Sequence, residues 1–175
     1  MAGSLIKIDE EIVTSAVASV TLGGSDWDSS YDVYMVKMNN VAPTTDSQSL
    51  LARVTESGTA NTTSNYDYAF KQLDVATTFS NQSGTNSTYW FMSGALCGTG
   101  TSETNQGIYY LFNFNNASEY SFITAEGTNN NQSQVLHSIT GGSVFTSASA
   151  CDGLEIFFAS GNIDSGTFTL YGLKK

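Results

Sequence analysis

The chain has 175 residues, enough for one domain with a buried core, and 40% of them are hydrophobic while only 13% are charged. Six Lys and Arg against 16 Asp and Glu give a formal net charge of −10 and a pI near 4.1. That balance lacks the clustered cations that nucleic-acid phosphates and anionic lipid demand, so neither nucleic acid nor a membrane is expected as a partner.

From the N-terminus, Met1 to Glu10 contains no apolar run of signal-peptide length, and no stretch approaches the ~20 apolar residues of a spanning helix. Folding in a cytoplasm is therefore expected. The triplets at Asn61, Asn81, Asn86, Asn116 and Asn131 match the glycosylation pattern. In a chain this rich in Ser, Thr and Asn they read as coincidences. Residues 1–14 are expected to form an arm or a first edge strand, and 15–175 a single domain.

Alternation of apolar and polar residues is the dominant signal thereafter. Ala16–Leu22 alternates weakly and stops at Gly23-Gly24. Tyr31–Met38 is apolar at nearly every position, as in a central strand or one covered on both faces. Leu50–Val54, Tyr66–Leu73, Tyr89–Leu96, Gly107–Phe114, Tyr120–Ala125 and Ser143–Phe145 follow. Tyr66, Phe70 and Leu73 also share a helical face, so a short helix is the alternative there. Asn61–Asn65 and Asn81–Ser87 read as polar turns. Near the C-terminus, Leu154, Ile156 and Phe158 lie on one face of Gly153–Gly161. Phe168 and Leu170 point inward in Gly166–Gly172, with Thr167, Thr169 and Tyr171 outward. With only Ser160–Gly166 between them, these two runs predict an antiparallel pair. The sum is an all-β, two-sheet antiparallel sandwich of jelly-roll type with about eight to ten strands.

Reactive constellations are sparse. His137 shares a face with Val135 and Ile139, which predicts a structural, hydrogen-bonded ring rather than a triad member. Asp32, Asp67 and Glu155 are the acids on strands that a glycosidase could pair. Asp26, Asp28 and Asp32 could offer oxygens to calcium, but a turn held by Asp side chains explains the same residues and is the preferred reading. Gly98-Thr99-Gly100 has no following lysine to make a phosphate loop. Cys97 and Cys151 lack metal-ligand spacing and predict two buried thiols. No catalytic residue, cofactor or metal site is assigned. The aromatic clusters Tyr89-Trp90-Phe91 and Tyr109, Tyr110, Phe112, Phe114 must split between two faces. One face fills the core; the other suits an interface or sugar stacking.

Several segments resemble small structural proteins of tailed bacteriophages of marine bacteria and cyanobacteria. They are Ser29–Tyr34 with Met38–Val41, Asn65–Ala69, Gly107–Asn113, and above all Ser165-Gly166-Thr167-Phe168-Thr169-Leu170-Tyr171-Gly172-Leu173-Lys174. The resemblance implies a jelly-roll virion protein on the capsid or the tail fibres, without catalytic residues. The expected function is capsid decoration (cement), with the major capsid protein or other virion proteins as partners and a homotrimer as the favoured assembly. The alternative is a tail-fibre or spike module that binds a host receptor or surface glycan. A polysaccharide-degrading enzyme ranks behind both.

Overall fold

The computed structural model describes residues 4–28, 30–75 and 79–174. The first three residues of the expected arm, and Ser29, lie outside these. The strands are β1 (Leu5–Val13), β2 (Ser19–Gly23), β3 (Tyr31–Pro43), β4 (Leu50–Glu56), β5 (Thr59–Ala60), β6 (Tyr66–Asp74), β7 (Phe79–Ser87), β8 (Trp90–Phe91), β9 (Asn105–Phe112), β10 (Ser121–Asn130), β11 (Leu136–Phe145), β12 (Gly153–Phe158) and β13 (Ile163–Lys174). A single 3-10 turn, Gly24–Asp26, interrupts them among the described residues. No helix there is long and apolar enough to cross a membrane.

The strands form two antiparallel sheets. One runs β1-β13-β3-β9-β10-β11-β6-β7; the other runs β2-β12-β4-β5, with β8 also paired to β4. Alternation explains why they stack. Tyr34, Val36 and Met38 of β3, Tyr109 and Leu111 of β9, and Phe168 and Leu170 of β13 are all buried on one side of the larger sheet. Val20 and Leu22 of β2 and Leu154, Ile156 and Phe158 of β12 are buried on one side of the smaller. All belong to a single apolar cluster. At roughly 25 cal/mol per Å² of apolar area removed from water, that burial is the main force holding the sheets together.

The expected pairing of the last two strands is wrong. β12 pairs with β2 and β4 in the smaller sheet, whereas β13 pairs with β1 and β3 in the larger. The connection crosses between sheets instead of turning back. The Ala159 N–H donates to the Ser49 carbonyl at 3.0 Å, and the Thr44 N–H donates to the Asn162 carbonyl at 2.8 Å. Gly161 takes φ +76° at the crossing, where an added Cβ would strike Thr45. Periodicity states which face of each strand is buried, and both arrangements satisfy it equally.

Other departures share a cause. The polar run Asn81–Ser87 is not a turn but most of β7, held at the sheet edge by its ladder to β6 rather than by burial. Tyr66–Asp74 is strand, not helix. Tyr89–Leu96 is strand only at Trp90–Phe91. Its remaining apolar residues are needed because the loop itself plugs the core with Met92. The described residues therefore form more strands than the eight to ten expected. Thr169, expected outward, is on the outer side yet buried, and donates to Glu10 Oε2 at 3.1 Å.

Trp90 closes the core beneath this loop. Its indole N–H donates to the Val144 carbonyl at 3.1 Å, and Tyr66 meets its ring edge-on at 5.1 Å. Trp90→Ala should destabilise the fold by ~3–5 kcal/mol, read as a lowered urea midpoint with an unchanged slope. A loss below ~1 kcal/mol would contradict this packing.

Candidate functional site

The residues singled out for chemistry do not converge. Asp32 begins β3 and Asp67 lies on β6, four strand positions apart in one sheet, so about 19 Å at ~4.8 Å per strand. Paired glycosidase carboxylates sit within ~9.5 Å of each other. Glu155 lies in the other sheet, 3.8 Å from Arg53, whose guanidinium covers the Phe157 ring at 4.4 Å. Asp67 accepts from the Asn86 N–H at 2.8 Å. Asp28 does what the turn reading expects: its carboxylate accepts from the Ser30 N–H at 2.8 Å, and its carbonyl accepts from the Tyr34 hydroxyl. The Tyr34 phenol is pushed up to about 12 by burial and by the nearby Asp28 charge.

His137 is buried, as expected, and structural in its contacts. The Asn131 amide oxygen accepts from the Ser133 and Val135 N–H groups at 2.8 and 3.0 Å, which turns its nitrogen toward His137 Nε2 at 3.1 Å. The Gln72 amide nitrogen lies 2.9 Å from Nδ1, so amide side chains hold both ring nitrogens. His137 continues an inner row, Asn105–Asn129–His137, set by strand register. This row anchors the loop after β8: Asn105 Nδ2 donates to the Met92 carbonyl at 3.3 Å, Asn129 Nδ2 donates to the Ala95 carbonyl at 3.4 Å, and the Tyr109 hydroxyl also donates to Met92.

Cys97 and Cys151 are free and buried. Burial pushes the thiols up to about 12 and about 11, respectively. Ionised forms are therefore disfavoured in the fold. The stability this confers is complete below the ordinary thiol value of ~8.5 and is lost as pH rises through about 11 and 12. A disulfide-exchange reagent at pH 8 should modify neither thiol in the native protein and both after unfolding. Rapid modification of native protein would contradict their placement.

What the register does assemble is a surface. The side of the larger sheet turned away from the core carries rows of directly paired residues. One row reads Leu5, Leu173, Val33, Phe112, Phe122, Val144, Asp67. The next reads Lys7, Tyr171, Met35, Tyr110, Thr124, Gly142, Ala69. The third reads Glu10, Thr169, Lys37, Ile108, Glu126, Thr140, Lys71. Leu5, Leu173, Phe122, Tyr110 and Ile108 are between 38 and 50% exposed, so apolar area on this face is open to water. Gly142 puts no side chain into the middle of the rows, leaving a groove of about 750 Å³ bordered by Ala69, Phe122, Thr124 and Val144. The sequence splits the aromatics of this strand between two faces without assigning them; pairing puts Tyr110 and Phe112 outward. Lys37, Glu126, Gly142 and Val144 carry no such signal, because each is unremarkable on its own strand and meets the others only through pairing.

Comparison of the chain with protein-family models, with curated proteins and with solved structures finds no match.

Proposed function

We propose that this chain is a non-catalytic structural protein of a bacteriophage virion, a capsid decoration protein that works by protein–protein contact. The observation that carries the reading is the open apolar face of the larger sheet. Contiguous exposed apolar area of this kind marks interaction surfaces in soluble proteins. The segment that most resembles phage structural proteins is β13, and that strand serves both sides of the sheet. Phe168 and Leu170 enter the core, while Tyr171 and Leu173 join the outer face. Its Gly172 lies against Tyr31, whose ring a Cβ would meet at 2.5 Å. The partners are copies of the same chain and the major capsid protein or other virion proteins. Many weak apolar contacts summed over a lattice would brace the shell against packaged DNA, and the net charge of −10 keeps decorated particles apart.

A second reading has its own observation. Tyr110 and Phe122 are exposed rings flanked by Thr124, Thr128 and Gln106, a combination suited to stacking and hydrogen-bonding a sugar. In that reading the chain is a tail-fibre or spike module for a host glycan.

Electron microscopy of the whole particle separates the two. Decoration requires density on the head lattice, and heads lacking the protein should release DNA at a lower temperature. Density at the tail, with intact heads that fail to adsorb, would replace decoration by the glycan reading.

A further inference from the structure

We propose that the outer face of the eight-stranded sheet binds a second copy of this chain about a two-fold axis running along β9. The proposal rests on the reading of this face as a contact surface. Its tests use purified protein in solution, so its failure is separable from failure of a virion role.

Charge identifies the occupant. The chain has six cations and 16 acids. Three of those cations, Lys7, Lys37 and Lys71, lie on this face, against three acids, Glu10, Asp67 and Glu126. It is a locally neutral area on a strongly acidic molecule, where two copies approach without the repulsion felt elsewhere. Among the described residues, Lys37, Lys71 and Glu126 make no ion pair.

The order of the charges identifies the geometry. Along the third row the signs alternate at every second strand: Glu10 on β1, Lys37 on β3, Glu126 on β10, Lys71 on β6. β9 lies midway in this series. Rotation about an axis parallel to β9 places Lys37 against Glu126 of the second copy and Glu126 against its Lys37. Glu10 and Lys71 are matched in the same way. An axis running across the strands along this row would instead set Lys37 on Lys37 and Glu126 on Glu126, which like-charge repulsion opposes, and along the middle row it would set both charges on apolar residues, Val33 and Phe122.

Shape follows the same operator. Tyr171, two strands to one side of β9, comes over Gly142, two strands to the other, so a ring meets the groove. Val33 meets Phe122. Ile108, Tyr110 and Phe112 of β9 meet their own counterparts, as residues on an isologous axis must. The one mismatch, Leu5 against Asp67, falls at the rim, where sheet twist draws the copies apart. Packed sheets keep their strands within about 30° of each other. The seven strands from β1 to β6 that this axis relates, six spacings of ~4.8 Å or about 29 Å across and ~26 Å long at β9, offer about 750 Å² per copy. That is close to the ~800 Å² of a standard stable interface.

Sedimentation equilibrium of the full chain tests this directly. The wild type should weigh twice 18.7 kDa at micromolar concentration. Lys37→Glu and Glu126→Lys should each weaken the dimer by about tenfold or more. An equimolar mixture of the two variants, and the double variant K37E/E126K, should both recover it, because each restores opposite charges across the axis. Unchanged thermal melts would show that the single variants still fold. Ile108→Cys should be cross-linked to its counterpart by a short bifunctional thiol reagent, which spans the ~10 Å between packed sheets, while Cys97 and Cys151 are buried. A monomer at ~100 µM, a trimer, or a double variant no better than the singles would overturn the proposal.

Discussion

Between Phe158 and Ile163 the chain steps from one sheet to the other, and the apolar sets it joins face the same core from opposite sides. Leu154, Ile156 and Phe158 point in from the smaller sheet; Phe168 and Leu170 point in from the larger. Because β12 and β13 are not neighbours, each is free to sit centrally. β12 is held between β2 and β4, and β13 between β1 and β3. Apolar burial across that gap, rather than any disulfide or ion-pair network, fixes the two sheets against each other.

The sheets are unequal, and much of the surface follows from that. A five-stranded sheet cannot cover eight strands, so Trp90 of β8, with Met92 and Cys97 of the loop after it, covers part of the remainder. The polar row Asn105–Asn129–His137 lies beneath this loop and satisfies its carbonyls, as buried backbone requires. Polar residues that resemble candidates for chemistry thus serve as anchors for irregular chain. Among the described residues, nothing covers the opposite side of the larger sheet. Its outward residues keep half-buried apolar area, which a long sheet of aromatic and β-branched residues exposes unless a partner covers it.

Legibility differed by residue. Leu154, Ile156 and Phe158 were readable as a core stripe, and His137 as a buried structural ring, because burial of one face leaves a period of two. The strand β7 was unreadable, since Asn81–Ser87 is held by backbone pairing at an edge and needs no apolar residue. Tyr89–Leu96 misled in the opposite direction, because a loop that fills a core has the composition of a strand. The outer face lay between these cases. Tyr110 belonged to an aromatic cluster that had to split between two faces, but its neighbours Met35 and Thr124 are set by register alone.

The sequence by itself determined the all-β character, the inward face of most strands, the turn at Asp28 and the burial of both thiols. These depend on local alternation and composition, which a strand carries in its own residues. Tertiary structure alone decided that β12 and β13 part company. It alone aligned Lys37, Ile108 and Glu126 in one row, and placed Gly142 opposite Tyr171 about the central strand. Register between strands distant in the chain is settled by packing of whole sheets, and no single segment encodes it.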